Sequence, residues 1–480
     1  MKTYDELSGA QGKRVFYRAE RYRVQDLFKK AVPELSIEHS PYSLHDLSLS
    51  GLAAYASRTS NDVCEPGMHV AVQLGLRGIP LFEGTGEVAR IEPTTFGTKV
   101  AVKLLDCLNV SQLISKYQEI LIRTDLVEFG AEDVLTSVSP EYRMLCADIL
   151  HLLRTYRANL DRFTATRPDA AAAAEMLAAC EERILPVWRK LWYRGNELVE
   201  PLMDDPKALR AAKRFTELVL TPEFMAGAIW KRSYEKPLGY PGDFQIMNMV
   251  YDWQREGNGP YEKLVHRIGL DVAECIATRM VMMRQAIAAT VMRPNDHPAR
   301  ITTLGCGSAR EVVNYLQIHD LPQAVQFTLI DQDYDALSLA YERTYPESIR
   351  LHGKATVNCL HTSFSELLKA GEVFGKLAPQ DLIYTVGLID YLAPRRAKAL
   401  VTSLYQRLVP GGTLIVGNMM KTGVGNLWPM EFICDWNIIY RDHAEMKSLT
   451  DDILDADEIG TALDPTGRVI LLTLRKPPAV

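Results

Sequence analysis

Several features that would assign a protein class directly are missing from this 480-residue sequence. Its eight cysteines are scattered, with no CxxC pair and no Cys/His cluster at zinc spacing, which argues against the common zinc modules. We interpret them as reduced thiols in a cytosol. No uninterrupted apolar run approaches the roughly 18 residues that a membrane span needs. The strongest candidate, 277–292, is interrupted by Arg279 and Arg284.

The chain also has no excess of positive charge. The 54 Lys+Arg residues are outnumbered by 60 Asp+Glu residues, so the formal net charge is −6, while 47% of residues are hydrophobic. General binding to nucleic acid or to an anionic membrane needs a basic face, and we expect neither. The beginning, MKTYDELSGAQGKR, has no apolar core of the kind found in signal peptides. These features predict a cytoplasmic protein, and they leave its oligomeric state open.

The spacing of apolar residues divides the chain into three parts. From 66 to 106, segments such as HVAVQLGL and TKVAVKLL alternate apolar and polar residues, which predicts a small antiparallel β domain. From 110 to 226 the period is helical. From 299 onwards short apolar runs alternate with helical stretches, which is typical of a mostly parallel sheet covered on both faces.

Capping signals mark helix starts in the middle part. Ser139-Pro140-Glu141 and Thr221-Pro222-Glu223 each place a hydroxyl, a proline and an acid in the order expected of a first turn. A third helix is predicted to begin after Asp169 and to end near Pro186.

A glycine turn opens the carboxyl-terminal part. Gly305 and Gly307 directly follow the apolar run RITTL, where backbone can approach a ligand closely. A dinucleotide fingerprint continues to a third small residue, but we find Arg310 there, which disfavours a pyrophosphate. The next strand ends in Asp331, whose carboxylate can accept hydrogen bonds from both ribose hydroxyls of a nucleoside. The simpler alternative is an ordinary tight turn and a helix-capping aspartate.

These motifs occur in a family-specific order. The glycine turn, Asp331, DLIYTVGLIDYL and LVPGGTLIVGN follow one another as in the class I S-adenosylmethionine-dependent methyltransferases, which this part of the chain resembles. The resemblance implies a Rossmann-like doubly wound sheet, a final antiparallel hairpin, S-adenosylmethionine as cofactor and no metal. It places the cofactor against Gly305, Cys306, Gly307, Arg310, Glu311, Asp331, Gln332, Thr362, Ser363, Gly387 and Leu388.

The preceding segment is rich in glycine, proline and aromatic residues. RSYEKPLGYPGDFQIMNMVYDW, together with AREV, GLIDYL and DWNIIYRD, resembles the bacterial extracellular-factor 3-hydroxypalmitic acid methyl ester biosynthesis proteins. That resemblance implies methylation of a 3-hydroxy fatty acid carboxylate to give an ester signal. Such a reaction needs alignment and exclusion of water more than proton transfer. We assign this alignment to Tyr240, Asp243, Asp390, Tyr391, Asn418, Trp436 and Arg441.

Each of these assignments has an alternative. Arg441 could bind the substrate carboxylate bidentately, or it could pair with Asp442 or Asp435. Methylation of a protein or small metabolite at nitrogen or hydroxyl would instead need a general base, such as Asp243 or His361. Five methionines could line an acyl tunnel or, as is commoner, fill core space: Met247, Met249, Met280, Met282 and Met283.

The amino-terminal part carries a second set of motifs. Arginines at 14, 18, 21 and 23 precede HDLSLSGL, and the region resembles a PilZ domain, the bacterial receptor for cyclic di-GMP. The resemblance implies a ligand site formed by Arg14, Arg18, Arg21, Arg23, Asp46, Ser48 and Gly51. Arginine forks suit both the phosphates and the guanine edges of such a ligand. The arginine spacing departs from the family pattern, and a docking module without nucleotide is the alternative.

Taken together, we predict a multidomain α+β and α/β protein. A PilZ-like antiparallel β-barrel regulatory domain occupies 1–108, a helical linker or cap 109–228, and the methyltransferase domain 229–480. Within the last domain, 229–298 shapes the substrate site and 299–480 forms the Rossmann-like core. A different class of function, a cyclic di-GMP-gated interaction protein with a non-catalytic methyltransferase fold, stays open.

Overall fold

The computed structural model describes residues 5–8, 14–17, 22–28, 31–56, 64–94, 97–130, 137–238, 240–362 and 377–478. The chain divides into two compact units, Met1–Val134 and Leu135–Val480. The helices that follow residue 139 belong to the second unit together with the carboxyl-terminal sheet. The domain boundaries at 108/109 and 228/229 stay predictions.

The first unit is built on an antiparallel barrel. Its strands are β1 Asp5–Ser8, β2 Arg14–Tyr17, β3 Tyr22–Arg23, β4 Glu34–Ile37, β5 Ser40–Ser48, β6 Gly51–Ala56, β7 His69–Leu76, β8 Ile79–Thr94 and β9 Gly97–Leu104, with helices α1 Val24–Leu27 and α2 Val110–Gly130. Strands β5, β4, β7, β8, β9 and β6 pair in that order, and β6 returns to β5, which closes six strands. Alternate side chains such as Ile37, Val72 and Val88 are fully buried inside. The predicted antiparallel β domain is confirmed.

Helices dominate the start of the second unit. They are α3 Pro140–Ala165, α4 Ala170–Val199, α5 Pro206–Val219, α6 Thr221–Phe224, α7 Ala228–Glu235, α8 Phe244–Asp252 and α9 Pro260–Val291, with a 3-10 turn at Glu200–Asp204. Ser139 caps α3 as predicted, because its hydroxyl accepts the Tyr142 N–H at 3.2 Å. In the part of the chain that is described, no helix is both long and apolar enough to cross a membrane.

Two predicted helix boundaries are wrong. Helix α4 does not end near Pro186 but continues to Val199. Ile184, Trp188 and Trp192 repeat every four residues along one face and are fully buried, and this packing outweighs the roughly 3 kcal/mol that an interior proline costs. Thr221 does not cap α6, since its hydroxyl donates to the Ile433 carbonyl at 3.1 Å.

A seven-stranded sheet forms the carboxyl-terminal half of this unit. Its strands are β10 Ala299–Leu304, β11 Val325–Asp331, β12 Ala355–His361, β13 Gln380–Thr385, β14 Leu408–Met419, β15 Glu458–Leu463 and β16 Val469–Arg475; helices α10 Arg310–Ile318, α11 Tyr334–Arg350, α12 Pro394–Gln406 and α13 His443–Ser448 accompany them. The order is β12-β11-β10-β13-β14-β16-β15. Strands β10 to β14 are parallel, and β16 runs antiparallel to both of its neighbours. This is a Rossmann-like order with the expected final hairpin, and it reverses between β10 and β13, where such sheets bind ligands.

Candidate active site

A cavity of about 340 Å³ lies at the carboxyl ends of β10, β11 and β13. Its floor is formed by the loops that follow these strands. Its other walls come from α7, α8, α9 and the segments 240–242 and 426–438, all within the second unit. Most of the lining is apolar, with Trp230, Phe244 and Ile276 among the side chains. The sheet's switch point therefore opens into a largely apolar cavity.

The glycine turn forms the edge of the cavity nearest the sheet. Gly305 and Gly307 both have positive φ, +65° and +51°, a conformation that favours glycine. The Gly305 N–H donates to the Ile330 carbonyl at 2.8 Å. A Cβ added at either glycine would meet no protein atom closer than 3.9 Å and 3.7 Å, respectively. The turn therefore presents bare backbone to the cavity rather than to protein packing.

The residue that continues this turn was missed from the sequence. Ala309 adopts left-handed backbone, with φ 46° and ψ 41°, and is fully buried. After Gly305 and Gly307, it is thus the third small residue of a Gly-x-Gly-x-Ala turn. Arg310 instead begins α10 and points away from the cavity, with its guanidinium 2.7 Å from the Asp252 carboxylate. The small residue of the turn comes one position earlier than the fingerprint spacing suggested.

Asp331 is fixed directly across from the turn. One carboxylate oxygen accepts the Gly307 N–H at 2.8 Å, and the other accepts the Asp333 N–H at 2.9 Å. Burial raises the pKa of Asp331, and the backbone hydrogen bonds oppose this shift. The side chain also lines the cavity. The end of β11 and the glycine turn therefore hold the Asp331 carboxylate in the lining of the cavity.

Three aromatic residues of the predicted alignment set also line the cavity. The Tyr240 hydroxyl donates to Asp333 at 2.7 Å, which ties the 240–242 segment to the end of β11. Trp436 donates its indole N–H to the Tyr391 hydroxyl at 2.9 Å. Gly242, at φ +70°, lies against the same indole, and an added Cβ would be 2.2 Å from its Cζ2. Tyr240, Tyr391 and Trp436 all line the cavity.

The structure does not bring Asp243 into this cavity. Its side chain is 0% exposed and accepts both the Gln245 and Ile246 N–H groups, so it caps α8. The Arg232 guanidinium also binds both of its oxygens, at 2.8–2.9 Å. Asp243 therefore anchors the segment that carries Tyr240.

Arg441 and Asn418 also lie behind the cavity wall. The buried Arg441 guanidinium donates to the carbonyls of Ile389 and Leu392 and to the Asn418 side chain. Neither Asp442 nor Asp435 pairs with it. These bonds hold the turn that carries Asp390, whose carboxylate accepts the Met419 N–H at 2.7 Å and lines the cavity.

Of the remaining predicted cofactor residues, five line the cavity: Cys306, Glu311, Gln332, Gly387 and Leu388. Thr362 is buried beside them, and its N–H donates to the Asp331 carbonyl at 3.1 Å. Ser363 lies outside the described residues. The His361 ring is 3.0 Å from the Gln332 carbonyl and does not line the cavity. Of the five methionines considered for a tunnel, Met247 is the one on the cavity wall.

The lining residues that were not predicted include two ionisable ones, Tyr384 and Arg279. Tyr384, buried at the end of β13, donates its hydroxyl to Glu311 at 2.7 Å. Burial raises the pKa of Glu311, and this hydrogen bond lowers it. Arg279 of α9 also reaches the cavity. The signal for Arg279 was present in the sequence, as a charge interrupting an otherwise apolar run.

Four of the predicted nucleotide residues of the first unit, Arg23, Asp46, Ser48 and Gly51, lie on the paired strands β3, β5 and β6. Arg23 is exposed on β3 and pairs in register with Asp46 of β5. The Ser48 hydroxyl donates to the Gly51 carbonyl at 3.1 Å and shapes the β5–β6 turn. Arg14 begins β2, while Arg18 and Arg21 lie outside the described residues. Lys99, missed from the sequence, has its ammonium 3.8 Å from the Asp46 carboxylate.

Among the described residues, no group of three or more histidine, cysteine, aspartate or glutamate side chains is placed to hold a metal ion. No protein family profile and no curated protein sequence matches the chain.

Solved structures show a distant likeness. A possible exported protein from Bordetella parapertussis is 18% identical with a TM-score of 0.38, and the match covers 65% of this chain and 98% of that one. Magnesium protoporphyrin IX methyltransferase from Synechocystis is 12% identical with a TM-score of 0.32, covering 42% and 86%. The CurJ carbon methyltransferase is 12% identical with a TM-score of 0.37, covering 55% and 71%. At this level of similarity, function has to be argued from the chain's own residues.

Proposed function

We propose that the protein is an S-adenosylmethionine-dependent methyltransferase. The observation that carries this proposal is the pairing of bare glycine backbone with a fixed carboxylate at the sheet's switch point. The glycine turn leaves space that a Cβ would narrow, and Asp331, which accepts the Gly307 N–H, lines the same cavity with carboxylate oxygens that can accept ribose hydroxyls. Arg310, which begins α10, is paired with the Asp252 carboxylate. The cavity groups therefore suit a nucleoside, because Asp331 offers acceptors for its ribose hydroxyls.

The more specific proposal is methylation of a 3-hydroxy fatty acid on its carboxylate. When bound, the cofactor supplies a sulfonium methyl: a carboxylate oxygen forms the new C–O bond while the C–S bond breaks, its electron pair goes to sulfur, and no proton moves. The chain's residues then have to align the acid and exclude water. Tyr391 and Trp436, joined by a hydrogen bond, line the cavity and are proposed to position the acid. The apolar side chains from α7, α8 and α9 suit an acyl chain.

The direct test is methyl transfer from labelled S-adenosylmethionine to a panel of 3-hydroxy acids of increasing chain length. We expect a labelled product that mild base hydrolyses, because an ester is base-labile. Matched 1,3-diols, which lack the carboxylate, serve as the control and should give no product. A base-stable product would contradict carboxylate methylation, whereas absence of transfer together with absence of cofactor binding would contradict the methyltransferase proposal.

We further propose that the first unit binds cyclic di-GMP through Arg14, Arg18, Arg21, Arg23, Asp46, Ser48 and Gly51. Support comes from the closed antiparallel barrel and from the register that sets Arg23 beside Asp46. An exposed arginine next to a partly buried carboxylate offers both a phosphate partner and a guanine partner. Calorimetric titration of cyclic di-GMP into wild-type protein and Arg23→Ala tests the site, with Arg90→Ala, an exposed arginine on β8, as control. Equal binding by all three proteins would contradict it.

A further inference from the structure

Arg279 is a buried cation with unmet hydrogen-bonding capacity. It lies in the middle of α9, is 9% exposed and lines the cavity. Its Nε has no hydrogen-bond partner, and in the described part of the chain no carboxylate forms an ion pair with it. The Nη2 atom of Arg279 lies 4.0 Å from the Met247 sulfur. A guanidinium withdrawn from water in this way is costly unless a ligand completes it.

The neighbouring acids do not neutralise Arg279 directly. Glu311 is held by the Tyr384 hydroxyl at 2.7 Å, and Asp390 by the Met419 N–H at 2.7 Å. Burial raises the pKa of both carboxyls, and the positive charge of Arg279 acts on each from a distance to lower it. The cavity is thus lined by one guanidinium and by two carboxyls that already have hydrogen-bond donors of their own. The guanidinium complements a carboxylate, whether it belongs to an amino-acid group or to an organic acid.

Gly387, just after β13, places no side chain beside the Arg279 guanidinium. A Cβ added at Gly387 would lie 3.2 Å from the Arg279 NH2 and 3.8 Å from its Cζ. Any larger residue at 387 would therefore cover the planar group. Glycine at this position leaves the cavity beside the guanidinium free of a side chain.

We propose that Arg279 binds a ligand carboxylate in this cavity. The fork of a guanidinium matches a carboxylate bidentately. The carboxylate has two possible sources: the amino-acid end of the cofactor, or the acid substrate. This inference rests on the proposed function, and it assigns to Arg279 the anchoring of an anion that Arg441, enclosed by backbone carbonyls, does not provide.

The test compares ligands that differ in a carboxylate. Calorimetry measures S-adenosylhomocysteine and 5′-methylthioadenosine, which lacks the amino-acid end, and likewise 3-hydroxydecanoate and decane-1,3-diol. The proteins are wild type, Arg279→Met, Arg279→Lys, and Arg293→Met as an exposed control just beyond the same helix. Arg279→Lys keeps the charge without the fork, so an intermediate loss is expected and a folded variant is retained.

We expect Arg279→Met to weaken one carboxylate-bearing ligand about 10- to 100-fold, the range for a hydrogen-bonded charge, while its carboxylate-free partner is unchanged. Loss confined to S-adenosylhomocysteine assigns the cofactor carboxylate, and loss confined to 3-hydroxydecanoate assigns the substrate. Unchanged affinities, or equal losses within each pair, would overturn the inference. If wild type binds neither nucleoside, the methyltransferase proposal fails, and the 3-hydroxydecanoate pair alone decides the role of Arg279.

Discussion

At the scale of single residues, the cavity concentrates ionisable groups in an apolar setting. Glu311, Asp331 and Asp390 are all buried, and burial raises the pKa of each. Each carboxyl also accepts a hydrogen bond that orients it. Buried, oriented acids of this kind cluster at functional sites more often than elsewhere. They give the site a pH dependence that can be measured without knowing the substrate.

Glu311→Gln should change how stability depends on pH. Because the folded-state pKa of Glu311 is raised, its contribution is fully present below the ordinary glutamate pKa and is lost as pH rises through the raised value. The amide cannot ionise, and its oxygen still accepts the Tyr384 hydroxyl. We therefore expect the variant's free energy of unfolding to gain on wild type as pH rises from about 4 to 8. Urea unfolding at several pH values measures this difference. A difference independent of pH would contradict it.

At the scale of elements, the short segment 240–243 connects the helical part to the sheet. Asp243 anchors it to α8 and Arg232, Tyr240 ties it to Asp333, and Gly242 lets the Trp436 ring approach. None of these contacts is local in sequence except the helix cap. Glycines and aromatics mark this segment in the sequence, but they do not separate the residues that hold it from those that line the cavity.

Gly242→Ala should disturb this segment more than a comparable glycine substitution. Gly242 and Gly411 have nearly the same φ, +70° and +75°, but an added Cβ at 411 meets nothing within 4 Å. Both alanines bear the left-handed backbone cost of about 1–2 kcal/mol, while only Gly242→Ala also clashes with Trp436, at about 1–3 kcal/mol more. Chemical unfolding of the two variants should show that gap, and equal losses would contradict the close packing.

The element pattern was predictable where it depends on local chemistry. Alternation between 66 and 106 predicted β7, β8 and β9 of the barrel, but not β4, β5 and β6. Apolar runs predicted β10, β11, β13 and β14, because burial on one or both faces sets those patterns. The continuation of α4 through Pro186 depends on packing of its buried face, which no local signal reports. Ala309 shows the same limit within the site, because no local sequence signal reports its left-handed backbone. The carbonyl partners of Arg441 lie about 50 residues away in sequence, so the sequence does not show that its guanidinium is already engaged.

At the scale of the whole molecule, the chain combines two compact units. Regulation of the second by a ligand of the first requires that the ligand bind two states with different affinity. If cyclic di-GMP bound to the first unit regulates the second, the affinity for S-adenosylhomocysteine should differ about 5- to 150-fold with and without saturating cyclic di-GMP, the usual range of such coupling. Arg23→Ala is the control and should abolish the difference. Equal affinities would contradict coupling while leaving both sites intact.

The most direct measurement of the central claim is calorimetric titration of S-adenosylhomocysteine into the whole protein and into Asp331→Asn. The substitution keeps the side chain's shape and one backbone acceptor but removes the charge that would hold the ribose hydroxyls. We predict one site per chain in wild type and about a 10- to 100-fold weaker affinity in the variant. No binding by wild type, or equal binding by both proteins, would contradict the account.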